Sequence, residues 1–199
     1  MFVSVPAPPA LHSNLVYWAP PQQIVKRTVS ADACVYGGTA GGVVAAVQLA
    51  RLGRKVVLLN PARHIGGMTT GGLSWTDFGN KAAIGGMARE FYRRCGARYD
   101  VEEEWLFEPK VSEQVLNEML AEAGVEVENR QYLKSVRMNG GRITALRTDS
   151  GLTVEARVYI DATYEGDLMA KARVSYMVGR EGNRKYGETT VGVGAELSQ

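Results

Sequence analysis

The stretch Asp32–Asn60, DACVYGGTAGGVVAAVQLARLGRKVVLLN, decides how the rest of the chain is read. Ala33–Tyr36 is a short apolar run of buried-strand type, and Gly37, Gly38, Gly41 and Gly42 crowd the turn after it. Val43–Leu52 is almost wholly apolar or alanine, which reads as a helix packed on a sheet, with Gly53 placed to end it. Lys55–Leu59 follows as a second strand. Strand, glycine turn, helix and strand within about thirty residues make a βαβ unit, the context that a dinucleotide fingerprint requires.

A pyrophosphate binds at a helix N-terminus because unpaired backbone N–H groups and the helix dipole point at it, and side chains in the turn would hold it off. Gly37 is expected to make the tight bend and Gly42 the close helix-to-strand contact, with Gly38, Ala40 and Gly41 lining the phosphates. Thr39 stands where G-x-G-x-x-G has its middle glycine, and its hydroxyl is positioned to donate to a phosphate oxygen. An acidic residue about twenty positions on, at the tip of the second strand, would take a ribose hydroxyl. Asn60 occupies that place, and its side-chain oxygen can accept the same hydrogen bond more weakly. On this reading aspartate at position 60 would match or improve binding. A glycine-rich turn that binds no nucleotide is the plain alternative.

The composition excludes several classes. Among 199 residues, 23 basic and 21 acidic side chains are interspersed for a net charge of +2, so no nucleic-acid footprint stands out. No apolar run approaches the length of a membrane span. Cys34 and Cys95 are isolated from each other and from other ligand types, which gives neither a disulfide framework nor a metal site. Residues 1–30 hold Pro6, Pro8, Pro9, Pro20 and Pro21 and read as an extended, poorly ordered leader. That leader has no basic region ahead of an apolar core, so it is a poor signal peptide. Residues 31–199 remain as a single domain.

Past Asn60 comes PARHIGGMTTGGLSW, where Gly66-Gly67 and Gly71-Gly72 can bring backbone amides close to a ligand. Ile84, Met87, Ala88 and Phe91 fall at helical spacing. Cys95, near that helix's end, has no neighbour in sequence that would activate it as a nucleophile. Glu102, Glu103 and Glu104 read as a solvated acidic turn, and Trp75 and Trp105 as core residues in preference to the lining of a pocket. A second helix follows Pro109, with Val111, Val115, Leu116, Met119, Leu120 and Ala123 on one side and Gly124 as its stop, before a strand at Val125–Glu128. Tyr132–Met138, Ile143–Thr148 and Leu152–Ile160 are strand-like runs joined at Asn139-Gly140-Gly141 and Ser150-Gly151, so an antiparallel meander is inserted in the α/β unit. The last run enters Asp161-Ala162-Thr163, and Gly166-Asp167 opens a helix at Leu168. Asp167 also suits a plain helix-start charge.

Four ordered segments, namely the fingerprint, HIGGMTTGGLSWTDFG, EPKVSEQVLNEMLAEAGVEV and IDATYEGDLMAKARVSYMVGRE, together resemble the FAD-dependent oxidoreductase family with a glutathione-reductase-type FAD-binding fold. The resemblance implies a Rossmann-like FAD/NAD(P)-binding domain: a parallel sheet with helices on one side and an antiparallel β-meander crossing over on the other. It implies FAD as cofactor, with the pyrophosphate at Gly37–Gly42, the adenosine ribose near Asn60 and Pro61, and Gly66, Gly67 and Met68 running along the cofactor. Val127 would lie near the adenine, and Asp161, Ala162 and Thr163, followed by Gly166 and Asp167, would form a further loop beside it. The activity implied is transfer of hydride or electrons between a small organic substrate and flavin. Members of the family are normally much longer, which implies that the substrate-facing and flavin-capping parts lie outside these residues. No residue here reads as catalytic. The rival readings are an enzyme using NAD(P) or another nucleotide in the same crevice, and a non-catalytic fragment of a flavoprotein.

Overall fold

A computed structural model describes Ile24, residues 26–73 and 75–177, Gly179, Gly182 and residues 185–187. Most of the expected leader lies outside the described residues. The elements in order are β1 (Arg27–Tyr36), α1 (Ala40–Arg51), β2 (Val56–Asn60), α2 (Gly86–Gly96), α3 (Pro109–Glu122), β3 (Glu126–Asn129), β4 (Leu133–Asn139), β5 (Arg142–Thr148), β6 (Leu152–Asp161) and α4 (Asp167–Lys171). The strands form one sheet in the order β3-β2-β1-β6-β5-β4. β3, β2, β1 and β6 run parallel, whereas β5 and β4 continue the sheet antiparallel.

The apolar run at Ala33–Tyr36 is the inner end of a longer strand. β1 begins at Arg27 because β6 pairs with it from Arg27↔Leu152 to Tyr36↔Asp161, and this ladder holds polar residues that alone would not specify a strand. Arg27–Ser30 therefore belong to the sheet and not to the leader. β2, VVLLN, lacks polar alternation because both of its faces are covered. Val56 and Leu58 face the helices together with Val35, and Val57 and Leu59 face the other side with Cys34 and Tyr36.

Helices cover the first face. Val43, Ala46 and Val47 of α1, Phe91 and Cys95 of α2, and Val115, Leu116, Met119 and Leu120 of α3 close over Val35, Val56 and Leu58. Burying each of the larger side chains contributes about 1.5–3 kcal/mol. α3 starts on Pro109, whose missing N–H costs nothing in a first turn, and its chain leaves through Gly124 at φ +70°. On the second face, side chains of the meander and Leu168 of α4 join the core. The third run of the meander is β6 itself, so the meander is no separate layer but the curled continuation of the parallel sheet. Leu146, Leu152 and Val154 thereby pack with Cys34, Tyr36, Val57 and Leu59. The Tyr36 hydroxyl accepts a hydrogen bond from the Leu133 N–H at 3.0 Å, tying β4 to β1, and burial pushes the phenol up to about 12.

Side chains outside this frame bear on function mostly by exclusion. Cys34 and Cys95 are fully buried, and desolvation pushes both thiols up to about 12, so neither is a nucleophile. Trp105 is in the core, stacked on Tyr92 with ring centroids 3.9 Å apart. Trp75 is not: it is 63% exposed, because the irregular chain around it runs over the surface with no element to cover it. Within the acidic run, Glu103 is bound by Arg89 and Glu104 accepts from the Trp105 and Leu106 N–H groups, leaving Glu102 as the solvated member. Among the described residues no helix is long and apolar enough to cross a membrane, and no cluster of His, Cys, Asp and Glu could hold a metal.

An ion-pair chain links the three outer helices: Arg51 of α1 and Arg94 of α2 both bind Glu90, and Arg94 reaches Glu122 of α3 at 2.7 Å. Hydrogen bonds from Arg51, then Arg94, hold the Glu90 carboxyl below its ordinary value of 4.5. A depressed carboxyl contributes stability above the unfolded-state value and loses it as pH falls through the folded one. Glu90→Gln is therefore expected to cost less than about 1 kcal/mol near neutrality and less still at pH 3. Urea melts of both proteins at the two pH values check this; an equal difference at both would remove the charge from the explanation.

Candidate functional site

Three segments leave the C-terminal ends of adjacent parallel strands and meet above the sheet: residues 37–42 after β1, 61–72 after β2 and 162–166 after β6. In an open α/β sheet this end holds the ligand crevice. Backbone hydrogen bonds stitch the segments together. The Gly66 N–H donates to the Gly38 carbonyl at 2.7 Å, and the Ala162 N–H donates to the Tyr36 carbonyl at 2.8 Å.

Within the first segment, Gly42 admits no side chain, since a Cβ there would lie 2.0 Å from the Gly37 carbonyl oxygen. Gly37, at φ +113°, is pressed against the Ala162–Thr163 peptide, where a Cβ would come within 2.8 Å of three backbone atoms. Gly38 abuts the Asn60 side chain. Gly41 differs from these: it is exposed, and a Cβ there would meet only Thr39 Oγ1 at 3.8 Å. Gly41 and Ala40 open α1, where N–H groups have no acceptor within the helix. The surface over the helix start is thus open, backbone-lined and electropositive, which suits a pyrophosphate.

Thr39 has a task other than donating to a phosphate. Its Oγ1 accepts the Gly42 N–H at 3.2 Å as the N-cap of α1 and donates to the Ala162 carbonyl at 2.8 Å. One hydroxyl both caps the helix and clamps the loop after β6, so its proton is already used.

Asn60 is likewise turned inward. It is 3% exposed. Its Nδ2 donates to the Ala62 and His64 carbonyls, each at 3.1 Å, and to Asn129 Oδ1 at 2.8 Å, while its Oδ1 accepts the Ala62 N–H at 3.3 Å. These bonds shape the 61–65 loop, starting at half-buried Pro61, and leave no exposed acceptor for a ribose. Glu113 of α3 steadies the same loop by accepting the Ile65 N–H at 3.1 Å and bonding His64 Nδ1 at 3.0 Å.

Gly66 and Gly67 both adopt positive φ, and side chains there would strike Thr70 and the Tyr164 hydroxyl. The next N–H, that of the exposed Met68, donates to the Tyr164 hydroxyl at 2.8 Å. Tyr164 therefore spans from the loop after β6 to the loop after β2. Asp161 organises its own loop: Oδ1 accepts from the Thr163 N–H and hydroxyl, and Oδ2 from the Met169 N–H at 2.9 Å. Thr163 Oγ1 in turn accepts the Gly166 N–H at 2.9 Å. Asp167 is exposed, and its carboxylate has no hydrogen bond or ion pair among the described residues. Val127 lies in the edge strand β3 opposite Leu58, half-buried against the helical core and apart from the glycine loops.

The structure thus gathers Gly37–Gly42, Asn60, Gly66, Gly67, Met68, Asp161, Ala162 and Thr163 at the C-terminal ends of β1, β2 and β6. Two residues that sequence reasoning passed over belong with them, Tyr164 and Asn129. Tyr164 lay in plain view between Thr163 and Gly166. Asn129 could have been found from its place at the tip of β3, in register with Asn60.

A family model described as FAD dependent oxidoreductase matches residues 32–197. No curated protein matches the chain. Among solved structures it is similar to L-proline dehydrogenase from P. horikoshii (TM-score 0.58, 13% identity, 76% of this chain and 58% of that one). It is similar also to a geranylgeranyl bacteriochlorophyll reductase-like protein from Thermoplasma acidophilum (TM-score 0.56, 22% identity, 78% of this chain and 45% of that one). A third is glycerol-3-phosphate dehydrogenase from Bacillus halodurans complexed with FAD (TM-score 0.52, 13% identity, 72% of this chain and 36% of that one). At these identities the likeness is one of fold, and the chain spans only about half the length of the structures it matches.

Proposed function

The chain belongs to the FAD dependent oxidoreductase family, with FAD as its cofactor, and from that premise we propose that it holds FAD across the crevice formed by residues 37–42, 61–68 and 161–167. The observation that carries the placement is the open backbone at Gly41 above the start of α1, walled by glycines that cannot accept a Cβ. In this reading the pyrophosphate sits on the amides at the start of α1. Gly66, Gly67 and Met68 form the second wall, and the Ala162–Thr163 peptide the third, kept in shape by Asp161. The unpartnered carboxylate of Asp167 is available to accept from cofactor hydroxyls.

FAD supplies the redox chemistry, and the proposed reaction moves hydride or electrons between a small organic substrate and the flavin. The chain's own contribution is to fix the cofactor without reorganisation. Thr39 bonds the loop after β6, Asn60 the loop after β2 and Asp161 its own loop, so the cradle exists before the ligand arrives, which lowers the ordering cost of binding.

Purified protein is expected to be yellow and to release FAD, identified by mass. The sharper test is Gly41→Asp. The new side chain meets open space and a helix start favours it, so the melting temperature should hold. A negative charge beside the pyrophosphate should weaken FAD by at least about tenfold. Unchanged flavin content in the folded variant would put the pyrophosphate elsewhere.

A further inference from the structure

Asn60 stands where the nucleotide fold usually offers a carboxylate to a ribose, yet its oxygen faces the Ala62 N–H and the residue is buried. Its orientation is fixed by chemistry. The Ala62 and His64 carbonyls can only accept, so the Asn60 amide must turn its nitrogen toward them, and its two hydrogens are shared with Asn129 as well. Asn129 must then present its oxygen to Asn60, and its own Nδ2 points away from the pair. Asn129 is exposed, and this Nδ2 has no acceptor among the described residues. Through Asn60 it adjoins the glycine turn, since the Asn60 side chain lies where a Gly38 Cβ would go and Asn129 is its partner at the tip of β3.

We propose that Asn129 is the adenosine-side specificity residue of this chain: its Nδ2 donates to a ribose hydroxyl oxygen of FAD, in place of the acceptor that an acidic residue on β2 would supply. The buried Asn60 acts through Asn129 as the positioning residue that sets which end of the amide faces the crevice. The inference rests on the FAD placement above. It reverses the usual polarity of the contact, from a protein acceptor to a protein donor, and leaves the crevice uncharged at this point.

The test measures dissociation constants of FAD, ADP and FMN for the full chain and for Asn129→Leu and Asn129→Asp, with melting temperatures alongside. Asn129→Leu removes the donor, and FAD and ADP should weaken together by about threefold to tenfold, as for one neutral hydrogen bond. FMN, which lacks the adenosine half, should be unchanged. Asn129→Asp keeps an oxygen for Asn60 and lets the ribose hydroxyl donate instead, so FAD affinity should be retained. A loss with Asn129→Asp as large as with Asn129→Leu would mean that the ligand atom can only accept, which overturns the ribose assignment. Equal losses for FMN, or a fall in FAD affinity that merely follows a fall in melting temperature, would reduce Asn129 to a loop residue and overturn the proposal. If the wild-type chain binds FAD and Asn129→Leu binds it equally well, only the Asn129 contact is lost; a wild-type chain that takes up no FAD removes the cradle itself.

Discussion

Replacing Gly42 by valine is expected to abolish both flavin retention and cooperative folding of the β1–α1 unit. A Cβ at this position would lie 2.0 Å from the Gly37 carbonyl oxygen and 3.0 Å from the Ala162 Cβ, and the first of these is backbone that cannot swing aside. The helix must lift away from the sheet, which opens Val43, Ala46 and Val47 to water, all of them 0% exposed in the native packing. Overpacking a rigid core costs about 1–3 kcal/mol, and loss of these contacts adds to it, against a total stability of about 5–15 kcal/mol. Even alanine should be costly here, since the clash needs only one carbon. Thermal melts and flavin content of Gly42→Ala and Gly42→Val check the expectation; a valine variant that melts with the parent would mean that α1 does not rest on this turn. Gly41→Asp is the informative contrast, because the two glycines are adjacent and only one of them packs.

Asn60→Asp is the second large effect, and its sign is opposite to the one the fingerprint suggests. Matched to the pattern, aspartate restores the missing acid and should improve binding. In the structure it removes the Nδ2 group from three acceptors and sets a carboxylate oxygen against the Ala62 and His64 carbonyls and Asn129 Oδ1 at a site 3% exposed. A buried charge without a partner costs about 3–5 kcal/mol. Burial among oxygens raises the folded-state value of such an acid above its unfolded one. Its penalty is therefore smallest at low pH and grows as pH rises past the unfolded-state value. Denaturant melts between pH 4 and 8 should show the gap to the parent widening with pH. A variant as stable as the parent at pH 8 that binds FAD more tightly would restore Asn60 to the ribose.

These two positions show what was legible and what was not. The βαβ unit could be read because glycine spacing, an apolar strand and an alanine-rich helix are local signals, and Gly42 follows from them directly. The meander was equally plain from its turns. The second role of β6 was not legible, because Arg27–Asp32 carries no strand pattern and is held by residues more than a hundred positions later. Side-chain direction at Thr39 and Asn60 was hidden for the same reason. A hydroxyl or amide beside a glycine turn looks like a ligand group until the carbonyls of Ala162, Ala62 and His64 are placed around it. Trp75 was misjudged because burial depends on what passes overhead, and nothing local records that.

The clamp from Thr39 Oγ1 to the Ala162 carbonyl joins residues 123 positions apart. This separation has a consequence for the order in which the molecule forms. β1 can pair with β2 early, across the crossover through α1 that directly follows it. Its other edge and the third wall of the crevice wait for β6 and the peptide after it, and long-range parallel pairing of this kind is slow. During synthesis the glycine turn therefore emerges long before it is complete, with one side of β1 unpaired and open to mispairing. In the placement proposed above, FAD meets a finished cradle only once Ala162 has left the ribosome and docked, so cofactor capture follows the pairing of β6 with β1 and does not guide it.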